Sequence, residues 1–358
     1  MIAFNSSSTT PVDCCIIGGG IIGLSIARRL ATQGLSIALF DKSAPGTEAS
    51  HAAGGMLCPR LEFEKGSPLS EMGEISLQLY PDYVRELEEE TGLLVDLRLD
   101  GVIVPLNRDG NPGSPGPGDA IARLVEGDSL RELEPGISPE ITRALYYEEE
   151  GSIDNRALTA ALAAASEKLG VRIYPDCEVL EILVQKETAR GVRTREGDFS
   201  SAFVINCAGA WAGRIAGEVE QVDIAPVKGQ MLMLDCNGFQ DKLPRHTIYS
   251  HQTYLVPRQD GRVIVGATVE DKGFDKSVEP AAIEALHREA AGMFPFLQDI
   301  QPRESWAGLR PMGKEDVPYI GALSPDGYYA AVGHYRNGIL LAPLTQELMA
   351  REILGTTG

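Results

Sequence analysis

Apolar residues fall in two periods along this chain. Short unbroken runs such as Asp13-Cys-Cys-Ile-Ile17 and Ser36 to Phe40 predict buried strands. Between them, Ile22, Ile26 and Leu30 recur at helical spacing, predicting a helix over Ile21 to Gln33 that Gly34 stops. The opening unit is therefore β-α-β. Helical periods return at Glu71 to Thr91, Asn155 to Leu169, Ala281 to Gly292 and Gly338 to Ile353. Strand patterns cover Gly101 to Pro105, Val171 to Tyr174, Glu178 to Val184 and Phe203 to Gly209. Gln230 to Cys236, Thr253 to Val256 and Arg262 to Thr268 alternate as an antiparallel sheet does, with Gln259-Asp-Gly261 as a hairpin turn. Asn111 to Asp119, rich in proline and glycine, predicts an exposed loop.

These patterns predict an α/β fold, a Rossmann-like domain interrupted by a substrate domain built on a mixed, mainly antiparallel sheet. The expected boundaries are 11–85, 152–220 and 303–358 for the nucleotide-binding domain, and 86–151 with 221–302 for the substrate domain. Residues 1–10 read as a flexible tail, lacking the basic and apolar stretches of a leader.

Composition narrows the partners. Of the 358 residues, 43% are apolar, enough for an ordinary core, and the net charge is −19. That charge argues against nucleic acid and anionic membranes, which need basic patches. No apolar run approaches the roughly 18 residues of a membrane span, so a cytoplasmic location is expected. The six cysteines (Cys14, Cys15, Cys58, Cys177, Cys207, Cys236) show no paired spacing and read as small buried hydrophobes. His51, His246, His251 and His287 are scattered without metal spacing.

Gly18, Gly20 and Gly23 form G-x-G-x-x-G between a predicted strand and helix. The first allows the turn, the second lets a pyrophosphate approach, and the third permits close helix–sheet packing. The helix start at Ile21 and Ile22 offers amides to phosphate, and Asp41 closes the second strand where it can bond ribose hydroxyls, with Lys42 beside it. A single fingerprint and the small-residue segment Glu48 to Met56, where backbone can press on a flat ring, favour FAD over NAD. Near the C-terminus, Arg310 lies in Trp306-Ala-Gly-Leu-Arg-Pro311, and Arg336 precedes a helix whose positive end disfavours cations. Both suit an anionic ligand, and in so acidic a chain they must act locally.

Across Gly18 to Gly23, Ala52 to Leu57, Pro226 to Gly229, Tyr254 to Arg258, Trp306 to Pro311, Pro318 to Gly321 and Gly333 to Pro343, the chain resembles the D-amino-acid oxidase superfamily. Within it the chain resembles the glycine oxidases of thiamine biosynthesis. The resemblance spans nearly the whole chain, and its last three segments are the specific ones. It implies FAD contacts at Ile21, Ile22, Asp41, Lys42, Ala49, Ser50, Gly54, Gly55, Met56, Val179, His334, Tyr335, Arg336, Asn337, Gly338, Ile339 and Leu340. It implies substrate contacts at Tyr254, Arg310 and Arg336. Related sarcosine oxidases carry flavin on a cysteine near the second arginine stretch; here none follows Cys236, so noncovalent FAD is implied.

The implied reaction is oxidation of glycine, sarcosine or D-alanine by hydride transfer to flavin N5, giving an imine that hydrolyses to oxo acid and ammonia, with peroxide from oxygen. Glycine imine would then serve thiazole synthesis in the thiamine pathway, and a homo-oligomer, a tetramer by family expectation, is implied. The alternative is a D-amino-acid dehydrogenase handing electrons to a partner or quinone, or a D-amino-acid oxidase of broader specificity.

Overall fold

The computed structural model describes residues 11–106, 122–251 and 253–355. The expected tail at 1–10, the expected loop at 111–119 and Gln252 lie outside them. The first sheet is organised as its opening pattern predicts. β1 (Val12–Ile17) lies between two parallel neighbours, β2 (Ile37–Phe40) and the strand Asp198–Asn206. Arg172–Tyr174 extends the sheet beyond β2, and Tyr328–Val332 joins in parallel on the other side. Valine, isoleucine and cysteine side chains leave both faces apolar, as strands covered on both sides require. α1 (Ile21–Ala31), the helix Asn155–Lys168 and the C-terminal helix Gly338–Leu354 share one core around Ile16, Leu24, Ile26 and Leu30. Leu24, Ile26 and Leu30 are fully buried, each contributing about 1.5–3 kcal/mol relative to exposure.

The long helix Pro68–Thr91 starts on a Ser67 side chain that accepts from the Ser70 amide and stops at left-handed Gly92. The expected boundary at residue 85 falls inside this continuous helix. It packs on the start of the C-terminal helix and repairs a defect there. Pro343 has no N–H for the Ile339 carbonyl. The Tyr80 hydroxyl donates to that carbonyl instead. Ser76 Oγ enters the next rung, donating to Leu340 O at 2.6 Å and accepting from Leu344 N at 3.3 Å.

The second sheet runs in the order Pro302–Gly313, Ile224–Asp235, Arg262–Gly266, Tyr254–Pro257, Thr247–Tyr249, Val102–Pro105, Arg143–Tyr147, Arg123–Glu126. All its pairings are antiparallel except that between Thr247–Tyr249 and Val102–Pro105. Pro302–Gly313 departs from the expected boundary at 303, because it pairs along Ile224–Asp235 from Ile224↔Gly313 to Leu234↔Pro302. Backbone pairing over that length carries it into the second sheet. The helix Pro280–Met293 covers this sheet, with Leu286, Phe294 and Leu297 against Leu232, Leu255 and Val265. All six cysteines are buried and free. No helix among the described residues is long and apolar enough to cross a membrane.

Candidate active site

The parallel strands around β1 end at Ile17, Phe40, Asn206 and Val332, so Gly18, Asp41, Cys207 and Gly333 form one rim. Ligands of such sheets bind outside the carboxyl ends of the strands. A cavity of about 480 Å³ opens there and continues to the second sheet, within the roughly 300–1,000 Å³ of ordinary ligand sites.

At the nucleotide end, Gly18 has φ +103°, and a Cβ there would lie 2.3 Å from the Cys207 carbonyl oxygen. Gly23 faces the loop rather than the cavity; its Cβ would lie 1.9 Å from Gly18 O. Asp41 ties this turn together. Its Oδ2 accepts from Gly19 N at 2.7 Å and its Oδ1 from Ser43 N at 2.9 Å. Burial raises its pKa despite these donors. Ser50 Oγ accepts from Ile21 N at 2.8 Å, fixing the 49–56 segment against the start of α1. Lys42 Nζ lies 3.5 Å from Glu48 and 2.9 Å above the Trp211 ring, and Val179 lines the same wall. No acid occupies the first turn of α1. That end of the helix is free to receive a phosphate.

Gly54, Gly55 and Met56 form the middle of the cavity. Arg258, almost fully buried, reaches from the second sheet and donates to Gly54 O at 2.9 Å. Asn155 donates to Ser50 O at 2.7 Å. A Cβ on Gly54 would come within 2.7 Å of the Tyr254 ring. Opposite, the C-terminal helix points its uncapped N-terminus at the cavity through Asn337, Gly338, Ile339 and Leu340. The wedge of Ser76 and Tyr80 fixes its angle. His334 shares a 3.0 Å hydrogen bond with Thr345, and burial pushes its pKa down to about 3, so it is neutral. Tyr335, at φ +50°, turns the chain into Arg336. Small-residue backbone between two open helix N-termini fits a flat, anionic dinucleotide such as FAD.

At the substrate end, Arg310 lies flat on Gly229, where a Cβ would stand 2.4 Å from either Nη. Its Nη1 donates to Lys228 O at 3.2 Å and Thr268 O at 3.1 Å. It has no carboxylate partner among the described residues. Tyr254 lines the same cavity from the same sheet, two strands beyond Ile224–Asp235, with its hydroxyl 3.7 Å from Met231 Sδ. Burial raises the Tyr254 pKa and keeps the phenol a donor. Arg336 reaches the same cavity but is already paired, its Nη2 2.9 Å from Glu62 Oε1. The cavity therefore gathers every expected contact except Gly23. The sequence did not single out Glu62, Tyr249, Met231 or Lys228. Lys228 and Gly229 carried a signal only as members of the Pro226 to Gly229 segment.

A family model described as FAD dependent oxidoreductase matches residues 13–352. The chain is 33% identical to a glycine oxidase of Pseudomonas aeruginosa over 341 residues, 94% of this chain and 93% of that protein. It is 34% identical to the bifunctional protein ThiO/ThiG of Trichormus variabilis, covering 94% of this chain but 52% of that protein. The chain thus spans about half the length of those bifunctional relatives. The glycine oxidase structure from Geobacillus kaustophilus superposes with a TM-score of 0.88 at 30% identity, covering 98% of this chain and 96% of that one.

Proposed function

The chain belongs to the FAD dependent oxidoreductase family, and from that premise we propose that it oxidises glycine and similarly small amino acids. The observation that carries this is Arg310, a guanidinium anchored on one edge and unpaired by acid inside the cavity. Its remaining donors, Nε and Nη2, form a planar fork suited to a carboxylate. The Tyr254 phenol adds a neutral donor from the same sheet. Glu62 offsets the charge of Arg336, which leaves Arg310 as the cation at the substrate end without an acid partner among the described residues.

Noncovalent FAD would lie along the rim from Gly18 and Asp41 to the start of the C-terminal helix, and would supply a hydride acceptor at N5. The chain's own residues do the rest by placement. Arg310 and Tyr254 would fix the carboxylate end, and Tyr254 lies so close to Gly54 that a Cβ there would stand 2.7 Å from its ring, which restricts how a small substrate can sit beside that backbone. The helix amides at Gly338 and Ile339 favour negative charge on the group beside them. His334, held neutral, adds no competing charge. The imine formed from glycine would hydrolyse to oxo acid and ammonia, with peroxide from oxygen.

Peroxide release from glycine, sarcosine, D-alanine, D-proline and D-phenylalanine tests the reading. One methylene is worth only about 1–3 kcal/mol, so turnover is expected to be graded across the small substrates and absent for D-phenylalanine. Preference for bulky D-amino acids, or substrate-driven flavin reduction without peroxide, would refute it. Acid precipitation should leave FAD in the supernatant; flavin in the pellet would refute noncovalent binding.

A further inference from the structure

Lys228 is a lysine with no exposed surface, on a strand whose neighbours are apolar, and the chemistry above gives it no task. Its backbone and side chain are both committed to one segment. Lys228 N donates to Glu270 O, and Glu270 N donates back to Lys228 O, each at 3.0 Å. The same Lys228 carbonyl accepts from Arg310 Nη1. The ammonium lies 2.9 Å from Asp275 Oδ2 and 4.0 Å from Glu279 Oε1. The hydrogen bond from Lys228 holds the Asp275 carboxyl well below the usual carboxylate range.

Asp275 is pinned on either side in sequence. Phe274 packs 3.6 Å from the Arg214 guanidinium and 5.5 Å from the Trp211 ring. Lys276 Nζ pairs with Glu48 at 2.8 Å. Trp211, Arg214 and Glu48 all belong to the nucleotide end of the cavity. Three consecutive residues therefore tie that wall to the strand point on which Arg310 rests. Thr268, whose carbonyl is the second support of Arg310, is joined to the same segment through Glu270 Oε1 at 2.5 Å.

We propose that Lys228, held by Asp275, is a positioning residue that sets the orientation of the Arg310 fork. The proposal rests on Arg310 being the carboxylate grip. The ammonium faces Asp275 and Glu279, and the ladder bonds to Glu270 hold the same residue, so the pair and the ladder together set Lys228 O and Gly229 under the guanidinium. Freed from the pair, the strand relaxes and Arg310 keeps its charge but loses its aim.

The test uses FAD-loaded enzyme and the best substrate of the panel above. Lys228→Met and Asp275→Asn should each raise KM about tenfold, with kcat within twofold and FAD content unchanged. Asp275 is half exposed, so Asp275→Asn provides a variant that folds even where Lys228→Met does not. In an Arg310→Ala background the same changes should have no further effect. Unchanged KM in Asp275→Asn, with KM raised in Arg310→Ala, would overturn the proposal and leave the carboxylate reading standing. An equal effect with and without Arg310 would also overturn it, since Lys228 would then act on the fold at large. Arg310→Ala with unaltered KM would remove the carboxylate reading itself, and this proposal with it.

Discussion

Arg336 and Glu62 meet at 2.9 Å across 274 residues of sequence. The pair joins the chain entering the C-terminal helix to the short turn that follows the 49–56 segment, two strips that face each other over the cavity. Glu62 is the largest favourable charge on Arg336 and raises its pKa, with Tyr249 next. The cost of placing a cation before a helix N-terminus is offset by that acid. Arg336 is consequently a neutralised wall of the site, whereas Arg310 has no acid partner among the described residues.

Removing the acid should expose this. Glu62→Gln releases a second guanidinium toward the cavity, so acetate, a carboxylate competitor, is expected to bind several-fold more tightly. Inhibition constants at low ionic strength measure it, where charge effects are least screened. Unchanged or weaker acetate inhibition would mean that Arg336 has no influence on the carboxylate position.

Arg310→Ala is expected to cost roughly 3–5 kcal/mol in kcat/KM, because a buried carboxylate loses its charge partner. Arg310→Lys should recover little, since a point charge cannot reproduce the fork. FAD content should be unaffected in both. A lysine variant with near wild-type kcat/KM would show that charge alone suffices.

How much of this was readable in the sequence follows from range. Gly18 to Gly23, α1 and Asp41 were legible because strand, glycines, helix and acid sit within one short β-α-β stretch. Arg310 was legible as a charge in an apolar strand. The partners that give those residues their roles were not, because each comes from a distant segment without periodicity of its own. Glu62 reads as one more acid in an acidic chain until folding brings it to Arg336. Lys228 reads as an ordinary lysine until it is seen buried against Asp275. The strand Pro302–Gly313 was placed with its sequence neighbours, whereas backbone pairing with Ile224–Asp235 decides its sheet.

Pro343 supplies a case in which the sequence shows the defect but not the remedy. Tyr80→Phe keeps the ring in the core and removes only the donor to Ile339 O. A buried carbonyl left unpaired costs about 1–3 kcal/mol. Thermal unfolding should report that loss, together with weaker FAD retention because the helix start is less firmly held. Replacing Pro343 with Ala restores an N–H for Ile339 O, so Tyr80→Phe should cost less in that background. Equal cost in both backgrounds would disprove the compensation.

Glu150 should make stability pH-dependent near neutrality. Its Oε1 accepts from the amides of Arg60 and Leu61, while Oε2 is buried without a partner among the described residues. Burial wins over those donors and pushes the carboxyl from its ordinary 4.5 up to about 8. The folded protein thus holds a proton that the unfolded chain releases above 4.5. That contribution is fully present below pH 4.5 and is lost as pH rises through about 8. The slope is at most about 1.4 kcal/mol per pH unit within that window. Tm should therefore fall between pH 6 and 8.5 at constant ionic strength. Glu150→Gln keeps an acceptor for both amides and cannot ionise, so it should flatten the profile over the same interval. An identical decline in the glutamine variant would assign the pH dependence to other groups.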